Sequence, residues 1–136
     1  VCFADDYYGF DDAIYAACRI LQIVASSKIK VSEMLLDVPK TEATPEIRVD
    51  CPDDRKFEIV RELTESFSKN YDVIDIDGVR INFGEGWALI RASNTQPVIV
   101  FRFEANNAGR LADIISIVRK AVSKYESIFT LSQELC

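Results

Sequence analysis

The chain contains no histidine, and its 136 residues include one methionine, one tryptophan, five glycines and four prolines. Without an imidazole, neither a Ser-His-Asp triad nor a Cys/His zinc set can be completed. The four cysteines, Cys2, Cys18, Cys51 and Cys136, form no C-x-x-C pair, which points to reduced thiols and a cytoplasmic setting. Apolar runs are broken by charge well short of the roughly 20 residues that span a bilayer. The opening VCFADDYYGF has no basic segment leading into an apolar one, so neither a membrane partner nor an export signal is expected. Positive charge is also in short supply, with 16 Lys and Arg against 22 Asp and Glu, a net charge of −6. Nucleic-acid binding depends on a summed positive field. No nucleic-acid partner is therefore expected, and any anion site must be local.

What is present suits a folded domain: 49% of residues are apolar and 28% charged, too hydrophobic for a disordered chain. The length allows one core, or one small domain with an appendage. Along the chain, DDAIYAACRILQIVASSK reads as a helix with Ile14, Ala17, Cys18, Leu21 and Ala25 on one face and Asp11 or Asp12 as its cap. A short helix is predicted from Ser32 to Pro39. The segment DVPKTEATPE has two prolines and no periodicity, and reads as a linker and hinge, with a domain boundary near Thr41 to Pro45.

Beyond it, EIRVDC alternates as a strand. PDDRKFEIVRELTESFSKN follows as a helix with Asp53 as cap and Ile59, Val60, Leu63 and Phe67 buried. YDVIDIDGVRINF reads as a hairpin turning at Asp77 and Gly78. WALIRA and PVIVFRFEA are two more strands, and Leu111, Ile114, Ile115, Val118 and Val122 mark a last helix. The order β-α-β-β-β-β-α predicts an α+β fold, a mostly antiparallel sheet with two helices on one face.

The chemistry concentrates in RASNTQPVIVFRFE, between two adjacent strands. Ser93 and Thr95 offer hydroxyls, Asn94 an amide and Arg91 a planar fork that matches phosphate oxygens, while the turn's backbone N–H groups can form a nest. Arg102 follows on the next strand, with no acidic residue between the two arginines. An ordinary polar turn flanked by solvated arginines has the same composition, so spacing leaves both readings open.

The combination DGVRINFGEGWALIRASNTQP, followed by VIVFRFEA, resembles the phosphate-binding loop in the last domain of the α-D-phosphohexomutases, the phosphomannomutase and phosphoglucomutase family. YYGFDDAIYAACRILQIV is similar to the helix closing that family's third domain. The resemblance implies that residues 1–40 are a helical remnant of the third domain and residues 41–136 the C-terminal phosphate-binding domain. It implies a parent enzyme that interconverts hexose 1-phosphate and hexose 6-phosphate through a phosphoserine and a bisphosphate, with Mg²⁺ held outside this chain and none bound within it. Arg91, Ser93, Asn94, Thr95 and, from the next strand, Arg102 then correspond to the residues that clamp the non-reacting phosphate of mannose or glucose 1- or 6-phosphate. No catalytic residue is expected in this chain, which is predicted to be inactive without the N-terminal domains of the same enzyme. Specificity among mannose, glucose and amino sugars is not encoded in it.

Other residues read more simply. The adjacent pairs Asp5 and Asp6, Asp11 and Asp12, and Asp53 and Asp54 are better helix caps or solvated surface than metal ligands. Asp75 and Asp77 are expected to face water, and Trp87, Phe101 and Phe103 to lie in the core. The rival reading is a non-catalytic α+β interaction domain whose arginines pair with a partner's carboxylates.

Overall fold

A computed structural model of the chain describes residues 2–3 and 6–125. Its contacts divide into two units, Val1–Pro39 and Lys40–Cys136.

In the first unit, helix α1 spans Ala13–Ser26. Asp12 is its cap. One carboxylate oxygen accepts from the Tyr15 N–H at 2.9 Å and the other from the Tyr7 hydroxyl at 2.6 Å, and the Tyr7 bond holds the Asp12 carboxyl below its usual range. The face expected to be buried is not. None of Ile14, Ala17, Cys18, Leu21 and Ala25 is covered, and Ile14 is 79% exposed, because this unit contains no sheet or second α-helix among its described residues to bury them. The helix expected from Ser32 to Pro39 is a single 3₁₀ turn at Val31–Glu33 followed by turns. Met34, Leu36 and Val38 donate to Val31, Glu33 and Leu35 respectively, a three-residue spacing that leaves no α-helical ladder.

The second unit is one antiparallel sheet with helices on one face. Its strands are β1 (Glu42–Ala43), β2 (Ile47–Asp50), β3 (Asp72–Ile74), β4 (Val79–Asn82), β5 (Gly86–Ala92) and β6 (Val98–Ala105), with α2 (Asp53–Phe67) after β2 and α3 (Ala108–Val122) after β6. Strands β6, β5, β4 and β3 lie side by side, and β1 and β2 both pair along the free edge of β6. Two residues of the expected linker, Glu42 and Ala43, are thus sheet. Thr44 adds to the pairing, donating its N–H to the Phe103 carbonyl at 3.0 Å and accepting the Phe103 N–H on its hydroxyl at 3.1 Å. Residues 44–46 stand opposite only Arg102 and Phe103, so Pro45 sits at a bulge where its missing N–H leaves no gap in the ladder.

Period-two alternation sorts the strands into two faces. Ile47, Val49, Val79, Ile81, Ala88, Ile90, Ile99, Phe101 and Phe103 are buried and meet Ile59, Leu63 and Phe67 of α2 and Ile114, Val118 and Val122 of α3. Full burial of each large side chain contributes about 1.5–3 kcal/mol, which accounts for both helices packing on this face. The cap of α2 differs from expectation, since Pro52 rather than Asp53 holds that position, with Asp53 and Asp54 in the first turn; the Asn107 side chain caps α3 by accepting from the Arg110 N–H. The helix dipole still favours the two aspartates there.

The β3–β4 turn is wider than the expected two-residue hairpin, since β3 ends at Ile74. Gly78 nonetheless has φ +75°. An added Cβ would lie 2.3 Å from the Ile90 carbonyl oxygen and 2.8 Å from the Arg91 Cα. Glycine at this turn is what lets the chain come up against β5 beside Arg91.

Candidate functional site

The uncovered face of the sheet carries Arg48 of β2, Arg80 of β4, Arg91 of β5 and Arg102 of β6. Arg48 and Arg91 flank Val100 in one cross-strand row, and Arg80 and Arg102 flank Leu89 in the next. Four guanidinium groups in two adjacent rows make a local positive field on an acidic chain. Arg102 is exposed and has no ion-pair or hydrogen-bond partner among the described residues. Trp87 is a correction, since it stands half-buried on this face with the Arg80 guanidinium 4.8 Å from its ring centroid rather than in the core.

Arg91 lies at the end of β5 where the polar loop begins. Its side chain is 41% exposed and reaches Asp77 of the β3–β4 turn at 3.3 Å, so Asp77 is not simply facing water as expected. This is a long, surface ion pair, of the kind that contributes little and exchanges readily. The Arg91 Nε is buried without a partner; Arg110 Nε, near the other end of the sheet, is the second such atom among the described residues. With its outer nitrogens held by one long, surface ion pair, the guanidinium is suited to receive an oxyanion in two-point fashion.

The loop from Ser93 to Pro97 folds back on itself. The Ser93 N–H donates to the Val98 carbonyl at 3.0 Å, and the Ser93 hydroxyl oxygen accepts from the Gln96 N–H at 3.2 Å and, more weakly, from the Thr95 N–H at 3.4 Å. Among the described residues the Asn94 N–H, alone of these four, finds no partner. The expected backbone nest is therefore incomplete, consistent with the absence of positive φ outside glycine among the described residues. Side chains carry more of the loop's donor capacity than the backbone does. Asn94 and Thr95 are exposed and their side chains make no hydrogen bond among the described residues, and the Ser93 hydroxyl proton remains free to donate while its oxygen accepts.

Sequence reasoning missed the residues that hold this loop in place. Gln96 accepts on its side-chain oxygen from the Arg48 guanidinium at 2.5 Å and on its backbone carbonyl from the Lys56 ammonium at 2.9 Å. The Pro97 carbonyl accepts from the Cys51 N–H at 2.8 Å. A signal for Lys56 existed: it occupies the i−3, i−7 and i−11 positions relative to Ile59, Leu63 and Phe67, a lysine on the apolar stripe of α2. A hollow of about 400 Å³ lies near the far ends of β5 and β6. It is lined by Glu85, Glu104, Trp87 and Asn106, and its two carboxylates do not suit an anion. Among the described residues no three His, Cys, Asp or Glu side chains stand together as metal ligands would.

Residues 46–121 match the family described as phosphoglucomutase/phosphomannomutase, C-terminal domain. The chain belongs to the phosphoglucomutase/phosphomannomutase family. It is 38% identical over 121 residues to a phosphomannomutase/phosphoglucomutase of Pseudomonas putida, covering 88% of this chain and 26% of that protein. A phosphoglucomutase of Neisseria gonorrhoeae is 37% identical over 117 residues, 84% of this chain and 25% of the relative. The chain thus spans about a quarter of the length of these curated relatives. Among solved structures, that of a phosphoglucomutase/phosphomannomutase family protein from Burkholderia thailandensis superposes with a TM-score of 0.71 at 34% identity, over 92% of this chain and 26% of that one. The mostly antiparallel α+β architecture is therefore that of this family's last domain.

Proposed function

We propose that Lys40–Cys136 is the substrate-phosphate-binding domain of a phosphomannomutase/phosphoglucomutase that interconverts hexose 1-phosphate and hexose 6-phosphate, and that the unit before it is the end of the preceding domain. The observation that carries this reading is the loop at the end of β5. The Arg91 guanidinium is held by an ion pair that is easily exchanged, and Ser93, Asn94 and Thr95 present uncommitted side-chain donors next to it. A phosphate entering here takes the Arg91 fork from Asp77, gains hydroxyl and amide donors from the loop, and meets the field of unpaired Arg102 from the neighbouring strand.

The contribution to catalysis is positioning. Holding the phosphate that does not react fixes the sugar so that its other end faces the phosphoryl-transfer groups, converting a loose encounter into an oriented one. The chemistry itself, the phosphoserine and the Mg²⁺ that assists it, belongs to other parts of the enzyme, and the chain alone binds phosphate without turning it over. Because few contacts must offset the entropy of association, binding is expected on the order of millimolar.

An amide NMR titration with glucose 1-phosphate, with glucose and sulfate as controls, tests this. Saturable shifts at Ala92 to Gln96, lost in Arg91→Ala and not produced by glucose, are the expected outcome. The second reading, an interaction domain, draws on the open arginine-bearing face. Its mark would be self-association or carboxylate-partner binding that phosphate does not displace.

A further inference from the structure

The apolar stripe of α2 carries one buried lysine. Lys56 is 3% exposed, in a helix whose other inward residues are apolar. An ammonium taken out of water is costly unless its donors are satisfied, and a methionine of similar length would fill the same space without that cost. Its partners explain the choice. The Lys56 Nζ donates to the Asp53 carboxylate at 2.5 Å, one turn back on the same helix, and to the Gln96 carbonyl at 2.9 Å, 40 residues away at the end of the phosphate loop. Asp53 is 71% exposed and could be satisfied by water. The Gln96 carbonyl is the contact that water would make less rigidly.

Gln96 is the hub of the loop. Besides Lys56, its carbonyl accepts from the Val98 N–H at 2.8 Å, its own N–H closes the turn onto Ser93, and its side chain is held by Arg48. Fixing that carbonyl fixes the peptide plane whose other end is the Gln96–Pro97 connection, and through the Ser93 hydroxyl it fixes where Ser93, Asn94 and Thr95 stand. The next carbonyl, that of Pro97, is tied to the Cys51 N–H just before α2. Both anchors come from the β2–α2 corner, so the start of α2 and the loop form one hydrogen-bonded body.

We propose that Lys56 is a positioning residue for phosphate. It does not touch the ligand, but through the Gln96 carbonyl it holds the Ser93–Gln96 loop in its binding geometry before the ligand arrives. The ordering entropy of the loop is then met during folding rather than at binding. This rests on the phosphate-binding reading of the loop, yet its structural half, that the loop is rigid because of Lys56, stands or falls by itself.

The test compares the full chain with Lys56→Met, which keeps the packing and removes the donor. Amide hydrogen exchange at Ser93 and Gln96 is read without ligand, glucose 1-phosphate affinity by NMR titration, and global stability by denaturant midpoint. Expected are exchange at least about tenfold faster at the loop, exchange unchanged at Ile90 and Phe101, and phosphate affinity about tenfold weaker. A merely structural lysine would instead speed exchange throughout the domain in step with the midpoint. Unchanged loop exchange in a folded Lys56→Met overturns the proposal, and so does faster loop exchange with unchanged affinity. If Lys56→Met does not fold, Lys56→Gln, a donor one atom too short to reach the Gln96 carbonyl in the same way, is read by the same criteria. If the unsubstituted chain binds no sugar phosphate, the reading of the loop as a phosphate site fails, and loop exchange alone still decides whether Lys56 holds it.

Discussion

Replacing Gly78 by alanine tests whether the β3–β4 turn is built around the site. Two costs are expected. Alanine at φ +75° pays about 1–2 kcal/mol for the left-handed conformation. Its Cβ would also stand 2.3 Å from the Ile90 carbonyl oxygen and 2.8 Å from the Arg91 Cα. Both are backbone atoms of a central strand, so no rotamer change can relieve the overlap and β5 must move, an overpacking cost of about 1–3 kcal/mol. The sum is roughly 2–5 kcal/mol, a fall in Tm of about 10 °C or more for a domain of this size. Gly84 is the control: its φ is +85° but nothing lies within 4 Å of its added Cβ, so Gly84→Ala should show only the conformational cost of about 1–2 kcal/mol. Denaturant midpoints of the two variants, with matched m-values, read the difference directly. If Gly78→Ala is no less stable than Gly84→Ala, the close approach of the turn to Arg91 is not a constraint and the reasoning fails. A folded Gly78→Ala should also bind sugar phosphate more weakly, because the atom it displaces is the Arg91 Cα.

Arg91→Lys keeps the charge but loses the fork, and should weaken glucose 1-phosphate binding by roughly tenfold or more, the scale of a charge-assisted hydrogen bond; an equal affinity in the NMR titration would show that only charge matters. Asp77→Asn frees the Arg91 guanidinium from its surface pair and should tighten binding by about 1.5- to 5-fold, whereas weaker binding would mean that Asp77 orients Arg91 rather than competing for it. At the far end of the helices, the Tyr125 hydroxyl donates to the Glu62 carboxylate at 2.6 Å and the Lys124 ammonium lies 3.3 Å from the same oxygen. The Tyr125 bond first, then Lys124, holds the Glu62 carboxyl below its ordinary value. A depressed folded-state pKa gives stability that is present above the unfolded carboxyl's pKa and lost as pH falls through the folded one. Glu62→Gln should therefore flatten the acid limb of the stability curve below the ordinary glutamate pKa of 4.5, and an unchanged slope in denaturant midpoint against pH would remove Glu62 from the account.

How much of this was legible in the chain depends on the range of the interaction. Alternation in VRIN and WALIRA, the stripe from Ile59 to Phe67 and the stripe from Ile114 to Val122 are local periodicities, and they marked the strands, the helices and their buried faces because each face needs only one neighbouring layer to bury it. The loop residues Arg91 to Thr95 could likewise be singled out, since turn chemistry and donor type are written in consecutive positions. Period without a partner misleads for α1, whose apolar face has nothing among the described residues of its own unit to cover it, and for the segment after Ser32, where bonds close at three residues instead of four. Trp87 was misassigned because alternation says which residues share a face but not which face the helices will cover.

Side-chain size, polarity and backbone preference at near neighbours settle the class of the fold, the order of strands and helices from β2 to α3, and the candidate loop. Tertiary structure alone decided that β1 and β2 share the edge of β6, that Asp77 meets Arg91 across 14 residues and that Lys56 meets the Gln96 carbonyl across 40. Those pairings depend on strand register and on where a helix end lands over the sheet. Such quantities arise only once the whole core has packed, and no short stretch of the chain records them.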